Sequence, residues 1–241
     1  MNKSVIKKGK WLLRDFFLAP KANCLGCASQ LGAVKGLLCP DCYASLSPLY
    51  TTFAGVKYVC NLCGREIAAL RCRCGGRREN AYNAYAAYHF ELPASTLVKA
   101  FKYRGVTALS EWMADEMILS LKGERDFDII TYVPMHRIRK IQRGFNQSEI
   151  LAKIISQKLN IPCVSLLERK RFTRKQANLS GAKRRENLVN AFVARNESII
   201  NKRVLLVDDV RTTGTTVISC ARVLMESGAE RVSAVTFACA R

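Results

Sequence analysis

One stretch, VLLVDDVRTTGTTV at Val204–Val217, restricts the possible folds more than any other part of the chain. Val204 to Val207 are wholly apolar and show no alternation, the pattern of a strand buried on both faces. Beyond Gly214 the apolar positions Val217, Ile218, Ala221, Leu224 and Met225 recur at helical spacing, and Gly228 stands where that helix would stop. The stretch therefore predicts strand, loop, helix. Asp208 and Asp209 fall at the carboxyl end of the strand, the edge at which open α/β sheets bind ligands. Ionised carboxylates only accept hydrogen bonds, so the pair asks for sugar hydroxyls, a metal ion or waters on a metal. The segment Thr212, Thr213, Gly214, Thr215, Thr216 offers backbone N–H groups and four threonine hydroxyls at a helix N-terminus, which suits a phosphate, with Arg211 beside it. An acidic pair next to a phosphate cradle suggests a phosphorylated sugar. An NTPase acidic strand has the same apolar-then-acidic ending, but it requires a G-x-x-x-x-G-K-[ST] loop, and the chain contains none.

Strand and helix patterns alternate through the preceding residues. Tyr85–Phe90, FDIITYVP and IPCVSLL read as strands, with a last strand in RVSAVTFAC. TLVKAFKYRG reads as a short helix closed by Gly105. Leu109–Leu121 and the segment carrying Ile150, Leu151, Ile154, Ile155 and Leu159 read as longer amphipathic helices. This alternation predicts an α/β fold with a parallel, doubly wound sheet. RRENAYNAY reads as the linker into that domain, giving a cysteine-rich module over 1–80 and the α/β domain over 81–241.

Eight of the eleven cysteines lie between Cys24 and Cys74 in close pairs. Cys24, Cys27, Cys39 and Cys42 form two C-x2-C knuckles, which together can close a tetrahedral thiolate site. Cys60 and Cys63 are followed by the tighter C-x-C pair Cys72 and Cys74. Ligands taken in sequence make two sites; interleaved pairs, or a disulfide framework, are the alternatives. With four protein ligands each, such zinc sites have no room for substrate and are structural, replacing a core that a short segment can hardly supply. Cys163, Cys220 and Cys239 read as small buried hydrophobes. The apolar N-terminal run WLLRDFFLA is broken by Arg14 and Asp15, and no run approaches a membrane span, so a cytoplasmic chain without membrane insertion is expected. In that compartment paired cysteines favour metal.

The net charge of +20 draws phosphates, whether of nucleotides, nucleic acid or lipid. Two zinc–tetrathiolate sites would bring it only to about +16. Two basic segments concentrate it. MHRIRKIQRGFNQ, after Pro134, reads as a loop whose Arg137, Arg139, Lys140 and Arg143 suit a pyrophosphate, with Asn146 at the start of the next helix. His136 lies in the same loop, and His89 ends a strand. From Arg169 to Arg185 there are eight basic residues and no acid, a length and composition suited to a lid or a nucleic-acid contact through Arg171, Arg174, Lys175, Arg184 and Arg185. A solvated charged face has the same composition. Five arginines, among them Arg71 and Arg73, surround the second cysteine cluster.

The Val204–Thr216 pattern resembles the 5-phosphoribosyl-1-pyrophosphate (PRPP) motif of type I phosphoribosyltransferases. That resemblance implies ribose hydroxyls on Asp208 and Asp209 as the catalytic acids, the 5′-phosphate on Thr212–Thr216, and Mg2+ accompanying PRPP. Together with YVPMHRIRKIQRGFNQSEILA and RFTRKQANLSGAKRRENLVNAF, the motif resembles the ComF family of late-competence proteins, from Cys24 to the C-terminus. The resemblance implies a type I phosphoribosyltransferase-like domain behind an N-terminal zinc-ribbon module, and a part in DNA uptake during natural transformation. Its implied partners are PRPP or a related nucleotide, single-stranded DNA and a competence helicase. Two readings follow: a PRPP-binding, phosphoribosyltransferase-like protein, or a non-catalytic single-stranded-DNA adaptor whose nucleotide pocket is vestigial or sensory. The intact acidic pair favours the first, the charge the second.

Overall fold

The computed structural model describes residues 23–29, 37–49, 56–60, 63, 66–67, 71–75, 81–170, 191–195 and 199–240. Its centre is a five-stranded sheet of β1 (Val56–Cys60), β2 (Ala81–His89), β3 (Ile129–Tyr132), β6 (Arg203–Arg211) and β7 (Arg231–Cys239), in the order β1-β2-β7-β6-β3. β2, β7, β6 and β3 are mutually parallel, and β1 closes one edge antiparallel to β2. A separate two-stranded ribbon joins β4 (Leu167–Arg169) to β5 (Phe192–Ala194).

The central strands are apolar on both sides because helices cover both. Leu205, Val207, Val235 and Phe237 pack with residues of α2 (Ala94–Tyr103), α3 (Leu109–Ser120) and α5 (Gln147–Leu159). The alternate residues Val204, Leu206, Val232 and Ala234 pack with Val217, Ile218, Ala221 and Leu224 of α6 (Thr215–Glu226) and with the β4–β5 ribbon. This is the doubly covered parallel sheet that the sequence predicts. The short α1 (Pro40–Ala44) and α4 (Arg137–Arg143) complete the helices among the described residues. None of the helices there is long and apolar enough to cross a membrane.

Several boundaries differ from the sequence reading. β2 starts at Ala81, so much of the expected linker RRENAYNAY is strand. Its alternating alanines and tyrosines fit between two helix layers, and Tyr82 is fully buried. The IPCVSLL segment is not a full strand. Pro162 has no N–H to give, and the segment meets β3 through Ile130 N–H to the Pro162 carbonyl and Val164 N–H to the Ile130 carbonyl, each at 2.9 Å, and through Leu166 N–H to the Thr131 hydroxyl at 3.3 Å. The basic stretch after Pro134, expected as loop, holds the two-turn helix α4, capped by His136 and closed by Gly144 at φ 80°. β6 runs four residues past Val207, so Asp208 and Asp209 belong to the strand, and Thr215 and Thr216 to the first turn of α6.

The cysteine-rich segment is not a bead on a string. β1 ends at Cys60, which pairs with Ala81. Leu46 lies in the larger core, and Leu25, Leu37 and Leu38 pack against it.

Phe237 shows where stability concentrates. It is fully buried, with its ring 5.2 Å from that of Tyr88 and 5.4 Å from that of Trp112. Phe237→Ala should cost about 3–5 kcal/mol of unfolding free energy in urea denaturation, because a rigid parallel sheet cannot collapse into the void. A loss below about 1 kcal/mol would place the mechanical centre of the fold elsewhere.

Candidate functional site

The acidic pair is held from two sides. The Ser148 hydroxyl, in the first turn of α5, donates to Asp208 Oδ1 at 2.8 Å, and the Asp209 N–H reaches the same oxygen at 2.9 Å. On the other side the Lys102 ammonium, in the last turn of α2, lies 2.8 Å from Asp209 Oδ1. Asp209 is 4% exposed, while Asp208 is half-buried. Loss of water around the Asp208 carboxyl, and then the charge of Asp209, push its pKa up to about 7, with Lys102 and Ser148 pulling the other way. One of the two acids is thus poised to change charge near neutrality.

The phosphate cradle is the turn Thr212–Gly214 followed by α6. Gly214 is the N-cap at φ 73°, a backbone conformation costly for any side chain, and it has no cap side chain to occupy the helix end. A first helical turn has no intrahelical acceptors for its N–H groups, so these are available to an anion. Thr212 and Thr213 are exposed, Thr216 is half-buried, and Thr215 is buried with its hydroxyl 2.9 Å from that of Thr213. Arg211 ends β6 level with Cys239; its Nε is buried without a hydrogen-bond partner among the described residues.

The cations of α4 are placed unequally. Arg137 is exposed at its start. Arg143, at its end, lays its guanidinium over the Tyr103 ring at 4.9 Å and donates to Gln147 Oε1 at 3.5 Å. Asn146 is buried and committed to structure: its Oδ1 caps α5 by accepting from Ser148 N–H, and its Nδ2 donates to the Val133 carbonyl. It joins the end of β3 to the start of α5 and so aims Ser148. His136 likewise uses Nδ1 to accept from Ile138 N–H. Arg169 of β4 lies within electrostatic reach of both Arg139 and Asp208; burial, and then the Arg139 charge, lower its pKa. Arg171, Arg174, Lys175, Arg184 and Arg185 lie outside the described residues.

Two residues of this site were absent from the sequence reading, Lys102 and Ser148; Arg169 entered it only as the first of the eight basic residues of the 169–185 segment. Lys102 sits one position before the pair Tyr103–Arg104 in KYRG, and it meets β6 only because α2 packs on the sheet. Ser148 follows directly on the FNQ signature, where a small hydroxyl at a helix start is an ordinary choice.

The cysteines resolve into two groups in sequence order. Cys24, Cys27, Cys39 and Cys42 form one, Cys60, Cys63, Cys72 and Cys74 the other, and within each group all four sulfurs lie within 4.8 Å of one another. The donor set and spacing fit a tetrahedral metal ion with no open position. Gly26 is required there, since a Cβ would meet Cys42 Sγ at 2.7 Å. Burial opposes ionisation of Cys24, but N–H groups of Cys39 and Gly26 aimed at its sulfur outweigh it and draw its pKa to about 6. The close C-x-C spacing does not prevent the second group: Cys63 and Cys72 sulfurs are 3.4 Å apart, Cys60 and Cys74 sulfurs 3.6 Å.

Residues 146–241 match the family described as Phosphoribosyl transferase domain. Among curated proteins the chain is 29% identical to Competence protein F of Haemophilus influenzae, over 87% of this chain and 93% of that one. It is 28% identical to Competence protein ComFC of Bacillus subtilis, over 92% and 86%. It is 32% identical to DNA utilization protein YhgH of Salmonella typhimurium, over 72% and 81%.

The raised Asp208 pKa has a consequence for stability. A carboxyl whose folded pKa exceeds its unfolded value stabilises the fold below the unfolded value, and that contribution is lost as pH rises through the folded one. The window here runs from 3.8 to about 7. Asp208→Asn cannot ionise and escapes the loss. In the ligand-free protein its thermal midpoint should therefore rise relative to wild type when measurements below and above this window are compared. Parallel pH profiles for the two proteins would contradict the desolvated-acid geometry.

Proposed function

The chain belongs to the ComF family, and from that premise we propose that it binds PRPP with Mg2+ at the acidic pair and acts in the handling of DNA taken up by the cell. The observation that carries the first part is the juxtaposition of Asp208 and Asp209 with the Gly214-capped start of α6. The carboxylates accept from the ribose 2′ and 3′ hydroxyls. The α6 N–H groups and the Thr212–Thr216 hydroxyls take the 5′-phosphate, and Arg137, Arg139 and Arg143 meet the pyrophosphate. Bound Mg2+ would screen the pyrophosphate oxygens from the acids and draw negative charge off a departing pyrophosphate. Negative charge at Asp208 and Asp209 favours positive character developing at the ribose C1′, which is what displacement of pyrophosphate requires. The DNA role follows from the names of the relatives, and the +20 charge suits single-stranded DNA as a partner in the cytoplasm.

We further propose that both cysteine groups hold structural zinc. Metal analysis of a freshly reduced preparation should find two zinc ions per chain, and chelation should lower the thermal midpoint, because the first group packs through Leu46 on the main core. A metal-free protein of unchanged stability would reject this assignment.

The ligand reading is tested by calorimetric titration with PRPP and Mg2+. Asp208→Asn and Asp209→Asn each keep size but remove a charged acceptor. Each should weaken binding by about 1.5–3 kcal/mol, roughly ten- to hundredfold in Kd. Wild-type affinity in both variants would show that the acids do not read ribose.

A further inference from the structure

Lys102 poses a problem that the PRPP reading leaves open. Its ammonium is paired to Asp209 at 2.8 Å, with side chains 18% and 6% exposed. A ribose hydroxyl or a metal-bound water arriving at Asp209 must share or displace that lysine. A buried ion pair gains little stability over an apolar contact, while breaking one leaves an uncompensated charge. The pair is therefore weakly justified as a structural device, and any ligand of Asp209 must give the displaced ammonium a new anion.

The surroundings of Lys102 supply that anion's place. Gln147 Nε2 donates to the Lys102 carbonyl at 3.4 Å, and the same Gln147 accepts from Arg143 at 3.5 Å through its other end. Arg143 in turn covers Tyr103, the next residue after Lys102. The end of α2 and the end of α4 are thus clasped together, and the Lys102 backbone is fixed beside the helix whose arginines meet the pyrophosphate. The side chain itself is free to re-aim, because a lysine is a compact charge on a flexible stem with three rotatable donors. An arginine there would fork onto the carboxylate.

We propose that Lys102 is an exchangeable counter-ion: it neutralises Asp209 in the empty pocket and turns to the pyrophosphate when a ribose occupies the acidic pair. This rests on the PRPP reading and adds selectivity to it. PRPP supplies the displaced ammonium with an anion, whereas ribose 5-phosphate takes Asp209 and returns nothing at that position. Lys102 therefore discriminates against the ligand that lacks the pyrophosphate.

The experiment titrates wild type, Lys102→Met and Lys102→Arg with PRPP and separately with ribose 5-phosphate, both with Mg2+. Lys102→Met should weaken PRPP by about tenfold or more and leave ribose 5-phosphate unchanged or tighter, while Lys102→Arg recovers part of the PRPP affinity. Equal weakening of both ligands would overturn the proposal and leave Lys102 as a residue that merely positions Asp209; no effect on either would also overturn it. A second measurement needs only wild type. Pyrophosphate should bind more tightly when ribose 5-phosphate is present, since the ribose releases the lysine, and independent binding of the two would overturn the exchange. Failure of wild type to bind PRPP at all is a different result, because it removes the ligand reading itself.

Discussion

Two carboxylates, Asp208 and Asp209, stand side by side at the end of a strand covered on both faces, and like charges in a desolvated cleft oppose one another. Much of the surrounding structure answers that repulsion. Ser148 gives Asp208 a hydroxyl, Lys102 gives Asp209 a cation, and Arg139 and Arg169 bring further positive charge to the same side. The helices that supply these groups are in turn fixed by polar joints. Asn146 ties α5 to the end of β3, and Gln147 ties α5 to both α2 and Arg143. The site is a set of helix ends converging on one strand end, which is what a parallel sheet with helices on both faces makes available.

The cysteine groups belong to the same construction. β1 extends the main sheet and ends in Cys60, so the second group is attached to the sheet's edge through backbone pairing. The first group is attached through apolar contact, by way of Leu46 and its neighbours. Metal bound at either place would stiffen segments too short to form a core, and would do so on the edge of the domain that carries the ligand site.

The sequence made the fold legible where patterns were local and strong. The apolar run at Val204–Val207, the helical spacing after Gly214 and the paired cysteines all predicted what the structure contains. Boundaries failed where tertiary packing decided the matter. Ala81–Tyr85 looks like linker because alanine and asparagine are poor strand formers, yet two helix layers make it a buried strand. The basic stretch after Pro134 looks like loop because Arg137, Arg139, Lys140 and Arg143 crowd like charge into it, yet a His136 cap and a left-handed Gly144 enclose two helical turns. In the site, Asp208, Asp209 and the threonine turn were readable because their spacing is contiguous. Lys102 was not, because it lies 107 residues before Asp209 (209 − 102) and only the packing of α2 on the sheet brings the two together. Asn146 was readable as a candidate, but its capping of α5 was not, since a helix cap and a ligand contact look alike in sequence.

A crystal structure of the protein grown with ribose 5-phosphate and Mg2+ tests the central claim most directly. The account predicts the 5′-phosphate within hydrogen-bonding distance of the N–H groups from Gly214 to Thr216, with ribose hydroxyls on Asp208 and Asp209. A sugar phosphate seated elsewhere, with the Lys102–Asp209 pair and the start of α6 untouched, would contradict it.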